Sequence, residues 1–390
     1  MPALPLAEID TVSAGLHEAD IDAPLPVLFG APRIEFSQTE TRCEIDVLGS
    51  MFFMLSRFEE FVLPDRDRHD RFPGNASTAW KAGFLYRPLV DEYVELLWTM
   101  ISRLWPGLAR RHRQGSIKVS CDVDQPFDRV GTNPLALVRS LGGDIAKRHN
   151  PALATRRIMN FFAHRRGNLR FDPYYNFDWY IDRCEAHGRK AAFFFISDHS
   201  AGAIDGTYDI GEARVLTLLR KVDERGHEIG LHASYGTFRD PEQIGRERKR
   251  LEASCHKAQI RQEIVGNRQH YLRWDASQTP DHLSAAGFRY DTTGSFADLP
   301  GFRYGTSHPF EMWSWQQLSP MPMRQAPLVL MECSVLSKSY LGMGHSTQAL
   351  ELMSLLKNRA MRYGGDFTLL WHNSELLTAK DRRFFELMIE

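Results

Sequence analysis

The run Lys190-Ala-Ala-Phe-Phe-Phe-Ile196 has no polar position after its first residue. A strand with one wet face alternates in polarity. A strand covered on both faces does not, and that kind belongs to parallel sheets flanked by helices. A loop to Tyr208-Asp209 follows, then a helical pattern from Glu212 to Arg225, then the strand His227-Glu-Ile-Gly-Leu-His232. Further strand candidates fall at 262–265, 289–290, 328–331 and 367–371. Strand, helix and strand at this spacing predict parallel α/β architecture. No internal repeat or low-complexity tract interrupts it.

A second stretch, Ile117-Lys-Val-Ser-Cys-Asp122-Val-Asp124-Gln-Pro126, climbs as a β-branched apolar run and ends in two carboxylates. Their spacing of two puts both on one side of a strand. If this is the first strand of a parallel barrel, its C-terminal end is where catalytic groups collect. Two like charges facing a cavity need a cation between them, a shared proton or full solvation. A metal would resolve the conflict; a solvated Asp-x-Asp in a turn is the plainer alternative. His232 and His372 end predicted strands and His270 directly follows one, so all three fall on the same rim as Asp122 and Asp124. One histidine at a strand end is usually a structural hydrogen-bonder. Three of them with two aspartates and Arg268 point to a site.

With 390 residues, 43% apolar and 25% charged, the chain has room for two domains or one large barrel with an extension. A formal net charge of -1 gives no global field for nucleic acid. The five cysteines are odd in number, spread out and without any Cys-x-x-Cys, which predicts reduced thiols. The opening lacks a basic stretch followed by a sustained apolar one, and no run approaches about eighteen apolar residues, so a cytoplasmic protein is expected. Residues 1–113 read as a smaller, separate unit: short strands to Glu44, a helical pattern over 46–60, a polar loop Asp65–Pro73 and a second helix from Leu89 to Trp105. That loop is either a solvated surface or, through Asp65, Arg71 and Phe72, a tie between domains or a cover over substrate. From 133 to 170 the chain turns helical and basic, with Arg139, Lys147, Arg148, Arg156, Arg157, Arg165, Arg166 and Arg170. Such a face is either solvated or draws phosphates or a membrane surface, giving peripheral membrane association through 139–170. Asp172 with Pro173 behind it predicts the N-cap of the next helix.

In this order the residues resemble a known family. Asp122-x-Asp124, Gly226-His-Glu-Ile-Gly-Leu-His232, Arg268-Gln-His270-Tyr and Leu369-Leu-Trp-His372-Asn are similar to motifs of the polysaccharide deacetylase superfamily with the NodB homology fold. Asp172-Pro-Tyr, Arg268-Gln-His-Tyr-Leu-Arg273, Gly301-Phe-Arg-Tyr-Gly-Thr306 and Trp371-His-Asn-Ser374 resemble a bacterial subgroup associated with surface-polysaccharide gene clusters. Leu55-Ser-Arg-Phe-Glu-Glu60 and Arg71-Phe resemble the extra N-terminal domain of that subgroup. The resemblance implies an α/β fold, a distorted (β/α)7 barrel over 114–390 behind a smaller mixed N-terminal domain over 1–113. It also implies a divalent metal, commonly zinc, at the open end. Asp122 matches the catalytic base, Asp124 the metal-binding carboxylate and His232 the first histidine of a His-x-x-x-His metal motif. Arg268 matches the arginine that orients the base, and His372 the general acid. The chemistry is coherent on physical grounds: zinc lowers the pKa of its water from about 15.7 to about 7, and a protonated His372 suits departure of a sugar nitrogen.

The sequence departs from the family at one position. Four residues after His232 the motif's second histidine is replaced by Gly236, and catalytic zinc sites usually supply three protein ligands. His270 is the candidate replacement, since Arg268 and His270 project to one side of an extended segment; Thr237, Asp291 and His199 are weaker ones. Arg303, Asp291 and Trp313 are candidate substrate contacts, with Trp274, Glu332 and Asn373 as further pocket or supporting groups. The expected activity is removal of an N-acetyl or other acyl group from a sugar during surface-polysaccharide synthesis, on a free, nucleotide-linked or lipid-linked precursor. Two other readings stay open: a degenerate deacetylase fold that binds glycans, and a metal-independent acyl hydrolase.

Overall fold

The computed structural model describes residues 1–146 and 148–390; Lys147 of the basic stretch lies outside the described residues. In chain order, the first elements are strands β1 (Ala7–Ile9), β2 (Leu25–Val27), β3 (Gly30–Phe36) and β4 (Thr41–Ile45). Helices α1 (Val47–Leu55), α2 (Phe58–Val62), α3 (Thr78–Lys81) and α4 (Leu89–Leu104) follow. Next come β5 (Ile117–Val123), α5 (Pro134–Ala146), α6 (Pro151–His164), α7 (Phe177–Ala186), β6 (Ala191–Phe195), α8 (Ala213–Glu224), β7 (Glu228–Ala233) and α9 (Pro241–Lys257). The remainder holds β8 (Gly266–Gln269), α10 (Thr279–Ala285), β9 (Tyr290–Asp291), β10 (Phe310–Ser314), β11 (Ser319–Gln325), β12 (Leu330–Met331), α11 (Glu332–Leu336), α12 (Thr347–Arg362), β13 (Phe367–Leu370) and α13 (Ala379–Ile389). The chain divides into two compact units, one of residues 1–117, 238–241 and 265–369, the other of 118–237, 242–264 and 370–390.

In the second unit β5, β6 and β7 pair in parallel, Val119 to Val123 opposite Ala191 to Phe195 and Ala192 to Phe195 opposite Glu228 to Leu231. Helices α5 to α7 connect β5 to β6, and α8 connects β6 to β7, the α/β alternation expected from the sequence. Strand β6 carries no alternation because Phe193, Phe194 and Phe195 are all buried. Parallel pairing puts the C-terminal ends of β5 and β7, with their Asp and His residues, at one edge.

The first unit contains a smaller mixed α/β part and a second set of strands. Two antiparallel pairs, β1 with β2 and β3 with β4, precede α1, whose N-cap Asp46 accepts a 2.9 Å hydrogen bond from the Gly49 N–H. Phe53, Met54, Leu89, Tyr93 and Leu96 form one apolar core with Leu25, Val27, Phe296 and Leu299. Buried within it, the Tyr93 hydroxyl donates to the Pro26 carbonyl at 2.7 Å, which satisfies the polar end of a core ring. Beyond these, β8 and β9 pair in parallel, β9 pairs in parallel with β11, and β10 and β11 form an antiparallel pair.

Two local expectations shift. The strand expected at 262–265 begins instead at Gly266, which places Arg268 inside β8 and His270 immediately after it. Asp172 does not cap a helix: α7 begins at Phe177, and the buried Asp172 carboxylate accepts from the Tyr174 and Tyr175 N–H groups and from the Asp128 N–H. The five cysteines are free thiols. Among the described residues no helix is long and apolar enough to cross a membrane.

Candidate functional site

The second unit gathers two carboxylates and two imidazoles. Asp122 is the last residue but one of β5, Asp124 directly follows the strand, His232 lies on β7 and His372 stands two residues beyond the end of β13. His232 Nε2 stands 3.2 Å from Asp124 Oδ1 and 3.5 Å from Asp122 Oδ2, and His372 Nε2 stands 3.7 Å from Asp124 Oδ2. The cluster has an inside and an outside: the Asp122 and His232 side chains are 3% and 2% exposed, those of His372 and Asp124 14% and 29%. An imidazole between two carboxylates eases their repulsion, and a carboxylate open to solvent beside a buried one can meet a ligand.

Backbone fastenings hold this rim. The Trp371 N–H donates to the Ser120 carbonyl at 3.0 Å, and the Tyr180 hydroxyl donates to the same carbonyl at 2.9 Å, fixing the entry to His372 against β5. The Asn373 amide then donates to the Gln125 and Tyr174 carbonyls, both at 2.9 Å. Asn176 in turn donates to the Asn373 carbonyl at 2.7 Å. Thus the Asp172-Pro-Tyr and Trp371-His-Asn stretches brace the segment that leaves Asp124. Tyr208 does the same from another side, donating to the Val123 carbonyl at 2.9 Å and accepting from the Ile196 N–H at 2.7 Å. Gly206, at φ +84°, approaches so closely that a Cβ there would sit 2.4 Å from the Asp124 carbonyl oxygen.

Gly236, which stands where the motif it resembles has a second histidine, is built into its surroundings. Its N–H donates to Ser200 Oγ at 2.7 Å, and a Cβ would meet that oxygen at 2.9 Å. Ser200 Oγ is 2.6 Å from Ser234 Oγ, and the Ser234 N–H donates to the buried Glu247 at 2.9 Å. Burial pushes the Glu247 carboxyl up to about 7, against the hydrogen bonds from Ser234 and Gln243. Thr237, a weaker candidate ligand, donates its hydroxyl to the Ser234 carbonyl at 2.7 Å. His199 lies beside Tyr208, ring centroids 6.5 Å apart.

The first unit carries Arg268 and His270, both buried. Arg268 donates to Thr292 Oγ1 at 3.3 Å. Directly after His270, Tyr271 and Leu272 hold φ of 61° and 54°, conformations that non-glycine residues seldom adopt. The loop at 65–73 clamps them: Arg71 donates to the Tyr271 carbonyl at 2.9 Å, and Arg273 donates to the His69 carbonyl at 2.7 Å. Arg71 is itself held by Asp67 at 2.7 Å.

The expected substrate contacts have structural partners. Arg303, 3% exposed, makes a two-pronged ion pair with Glu60 at 2.8 and 2.6 Å and donates to the Ser295 carbonyl at 2.7 Å. Asp291 is fully buried and accepts from Asn267 at 2.8 Å, from the Thr293 hydroxyl and N–H at 2.7 Å each, and from Gln325 at 3.1 Å. The Asp291 contacts tie strands β8, β9 and β11 together, and both side chains, expected as substrate contacts, are buried and engaged with protein partners. Trp313 is half-buried, edge-on to Phe52 with centroids 5.0 Å apart, and Trp274 is buried. Glu332 opens α11 and is buried. The basic stretch likewise divides: Arg157 is buried between Asp128 and Asp144 at 2.8 Å each, and Arg156 donates to the Asp172 carbonyl at 2.9 Å. The braces Asn176, Tyr208 and Glu247 were not anticipated, and only the Asp172-Pro-Tyr stretch beside Asn176 hinted at one.

A family model described as a family of unknown function (DUF7033) matches residues 6–106. No curated protein matches the chain. Among solved structures, one from Mycobacterium smegmatis described as a polysaccharide deacetylase is similar at 16% identity and a TM-score of 0.46, over 72% of this chain and 85% of that one. Another from Pseudomonas aeruginosa PAO1, also described as a polysaccharide deacetylase, is similar at 12% identity and a TM-score of 0.39, over 73% of this chain and 89% of that one. The structure of Puue allantoinase is similar at 12% identity and a TM-score of 0.39, over 73% of this chain and 88% of that one.

Proposed function

We propose that the chain is a metal-dependent carbohydrate deacylase of the polysaccharide deacetylase superfamily. It would act in the cytoplasm, removing an N-acetyl or other acyl group from a sugar precursor of an O antigen, capsule or exopolysaccharide. The observation that carries the reading is the cluster of Asp122, Asp124, His232 and His372, with His232 Nε2 within 3.5 Å of both carboxylates. A glycan-binding wall has no use for a buried base and an acid on one rim; acyl transfer to water needs both.

The donor chemistry fits a divalent ion. Asp124 offers a carboxylate oxygen and His232 an imidazole nitrogen, and His270 is the proposed third donor, giving the oxygen and two nitrogens that suit zinc and its first-row neighbours. When bound, such an ion supplies Lewis acidity at the acyl carbonyl and acidifies water. The remaining work falls to the chain. Asp122, buried, takes a proton from the attacking water. Arg268 orients Asp122. His372, less enclosed, gives its proton to the departing sugar nitrogen, which cannot leave as an anion.

Metal analysis of dialysed protein tests the metal arm, and release of acetate from N-acetylated sugars tests the reaction. Near-stoichiometric metal, lost in His232→Ala and His270→Ala, with hydrolysis abolished in Asp122→Asn, is the expected result. Metal-free wild type after reloading, with glycan binding and no acyl release, would instead support a binding module, the reading that Gly236 favours.

A further inference from the structure

A cavity of about 220 Å³ opens in the second unit directly beside the strand end that carries Asp122 and Asp124. Its lining includes Gln125, the next residue after Asp124, and the loop of Thr207 and Tyr208. The same loop touches the catalytic rim twice, through the Tyr208 hydroxyl on the Val123 carbonyl and through Gly206 against the Asp124 carbonyl. Pockets that enclose a whole drug-sized ligand run from about 300 to 1,000 Å³, so this one takes a substituent rather than a substrate.

The lining chemistry is cationic. Arg214 and Arg129 both face the cavity. Arg214 is pre-set: its guanidinium lies 4.2 Å from the Phe127 ring centroid, its Nε holds Glu212 at 2.7 Å and its terminal nitrogen stands 3.2 Å from His164 Nε2. Burial, and then Arg214 itself, pushes the His164 ring below its usual range, so it stays neutral and accepts from that arginine near neutral pH. Arg129 is exposed and makes no ion pair with any described residue. The one acid of the lining, Asp128, is already held by the buried Arg157 at 2.8 Å. What remains is one uncompensated arginine, a second one fixed in place, and the Gln125 amide and Thr207 hydroxyl as neutral donors.

We infer that this cavity is a subsite for a phosphate group on the acylated sugar, an inference that rests on the deacylase reading for its meaning. One arginine held in a fixed direction, a second free to close on the ligand and neutral donors beside them suit a tetrahedral dianion better than a hydroxyl-bearing ring. A sugar 1-phosphate, a nucleoside diphosphate sugar and a polyprenyl-phosphate sugar all present that group.

Calorimetry with inorganic pyrophosphate on the full chain tests the site without activity. Wild type binds it, and Arg129→Ala and Arg214→Gln each weaken binding at least tenfold, the expected loss of one charge-assisted contact. Arg129 is exposed, so its variant folds. No binding by wild type, or binding unmoved by both variants as when a metal alone holds the anion, overturns the inference. Acyl release from N-acetylhexosamine 1-phosphate, its uridine diphosphate ester, a polyprenyl-phosphate ester and the neutral methyl glycoside identifies the source. A wild-type preference for one phosphorylated form over the glycoside, shrinking about tenfold in Arg129→Ala, supports it. Pyrophosphate binding without acyl release from any sugar refutes the deacylase reading but leaves the anion site standing. Acyl release with no preference for phosphate does the reverse.

Discussion

Replacing Glu60 with glutamine should destabilise the first unit rather than impair substrate binding. Glu60 is 2% exposed and receives the forked guanidinium of Arg303 at 2.8 and 2.6 Å and Arg57 Nε at 2.8 Å. Burial alone would raise its pKa, but the two guanidiniums outweigh burial and hold the carboxyl at about 2, against an ordinary 4.5. At roughly 1.4 kcal/mol per pH unit, that depression corresponds to about 3 kcal/mol of stability. Removing one partner of a buried ion pair typically costs about 3–5 kcal/mol, because the other charge is left in the core. The two routes agree. Because the folded pKa is depressed, the stabilisation is present above about pH 4.5 and is lost as pH falls through about 2. Urea denaturation followed by tryptophan fluorescence should therefore show Glu60→Gln about 3 kcal/mol less stable at pH 7, with the gap to wild type narrowing below pH 4.5. Arg303→Gln should cost a similar amount, and the double variant much less than the sum. The reasoning fails if Glu60→Gln unfolds within about 1 kcal/mol of wild type, or if Arg303→Gln raises KM at unchanged stability.

Arg71→Ala releases the Tyr271 carbonyl, and the left-handed pair Tyr271 and Leu272 then relaxes, carrying His270 out of place. Metal retention after dialysis should fall several-fold while the urea midpoint stays nearly unchanged; undiminished metal content refutes the clamp. Asp91 is buried against Thr306, and burial pushes its carboxyl up to about 7 from an ordinary 3.8, so its neutral form is the one the fold prefers. A raised folded pKa gives stability that is full below about pH 4 and is lost as pH rises to about 7, on the order of 4 kcal/mol. Asp91→Asn should flatten the pH dependence between pH 4 and 7, and superimposable profiles for variant and wild type would reject this. Placing a histidine at Gly236 by Gly236→His should fail to tighten metal binding and should cost about 1–3 kcal/mol, since even a Cβ meets Ser200 Oγ at 2.9 Å. Tighter zinc binding at no cost in stability would show that the position is still open to a ligand.

Residues whose placement depends on their own strand were legible, and residues whose role depends on distant partners were not. Asp122, Asp124 and His232 could be located because a buried parallel strand delivers its last residues to one edge whatever surrounds it. Arg303 looked equally available in the sequence, yet Glu60, its partner, lies 243 positions away, and a motif gives no sign that its charge is already neutralised. Asp291 is the same case: Asn267 and Gln325 consume its acceptors from two other strands. Strand β11 escaped for a local reason, since Pro320 and Pro322 argue against a strand even though Met321, Met323 and Gln325 alternate inward. Asp172 shows how close the two kinds of information lie. Its readiness to accept from the N–H groups just ahead of it was readable as a helix cap, but no helix starts there, and the added bond from the Asp128 N–H makes it a brace for the segment leaving Asp124. This asymmetry has a physical source. Strand direction is decided by neighbours in sequence, whereas the protonation and pairing of a charged group are decided by whatever folding brings within a few ångströms. A charged residue is therefore as readily a buried tie as a ligand contact, and Arg303 and Arg129 mark the two ends of that range: one 3% exposed and held by a carboxylate, the other exposed and without an ion-pair partner among the described residues.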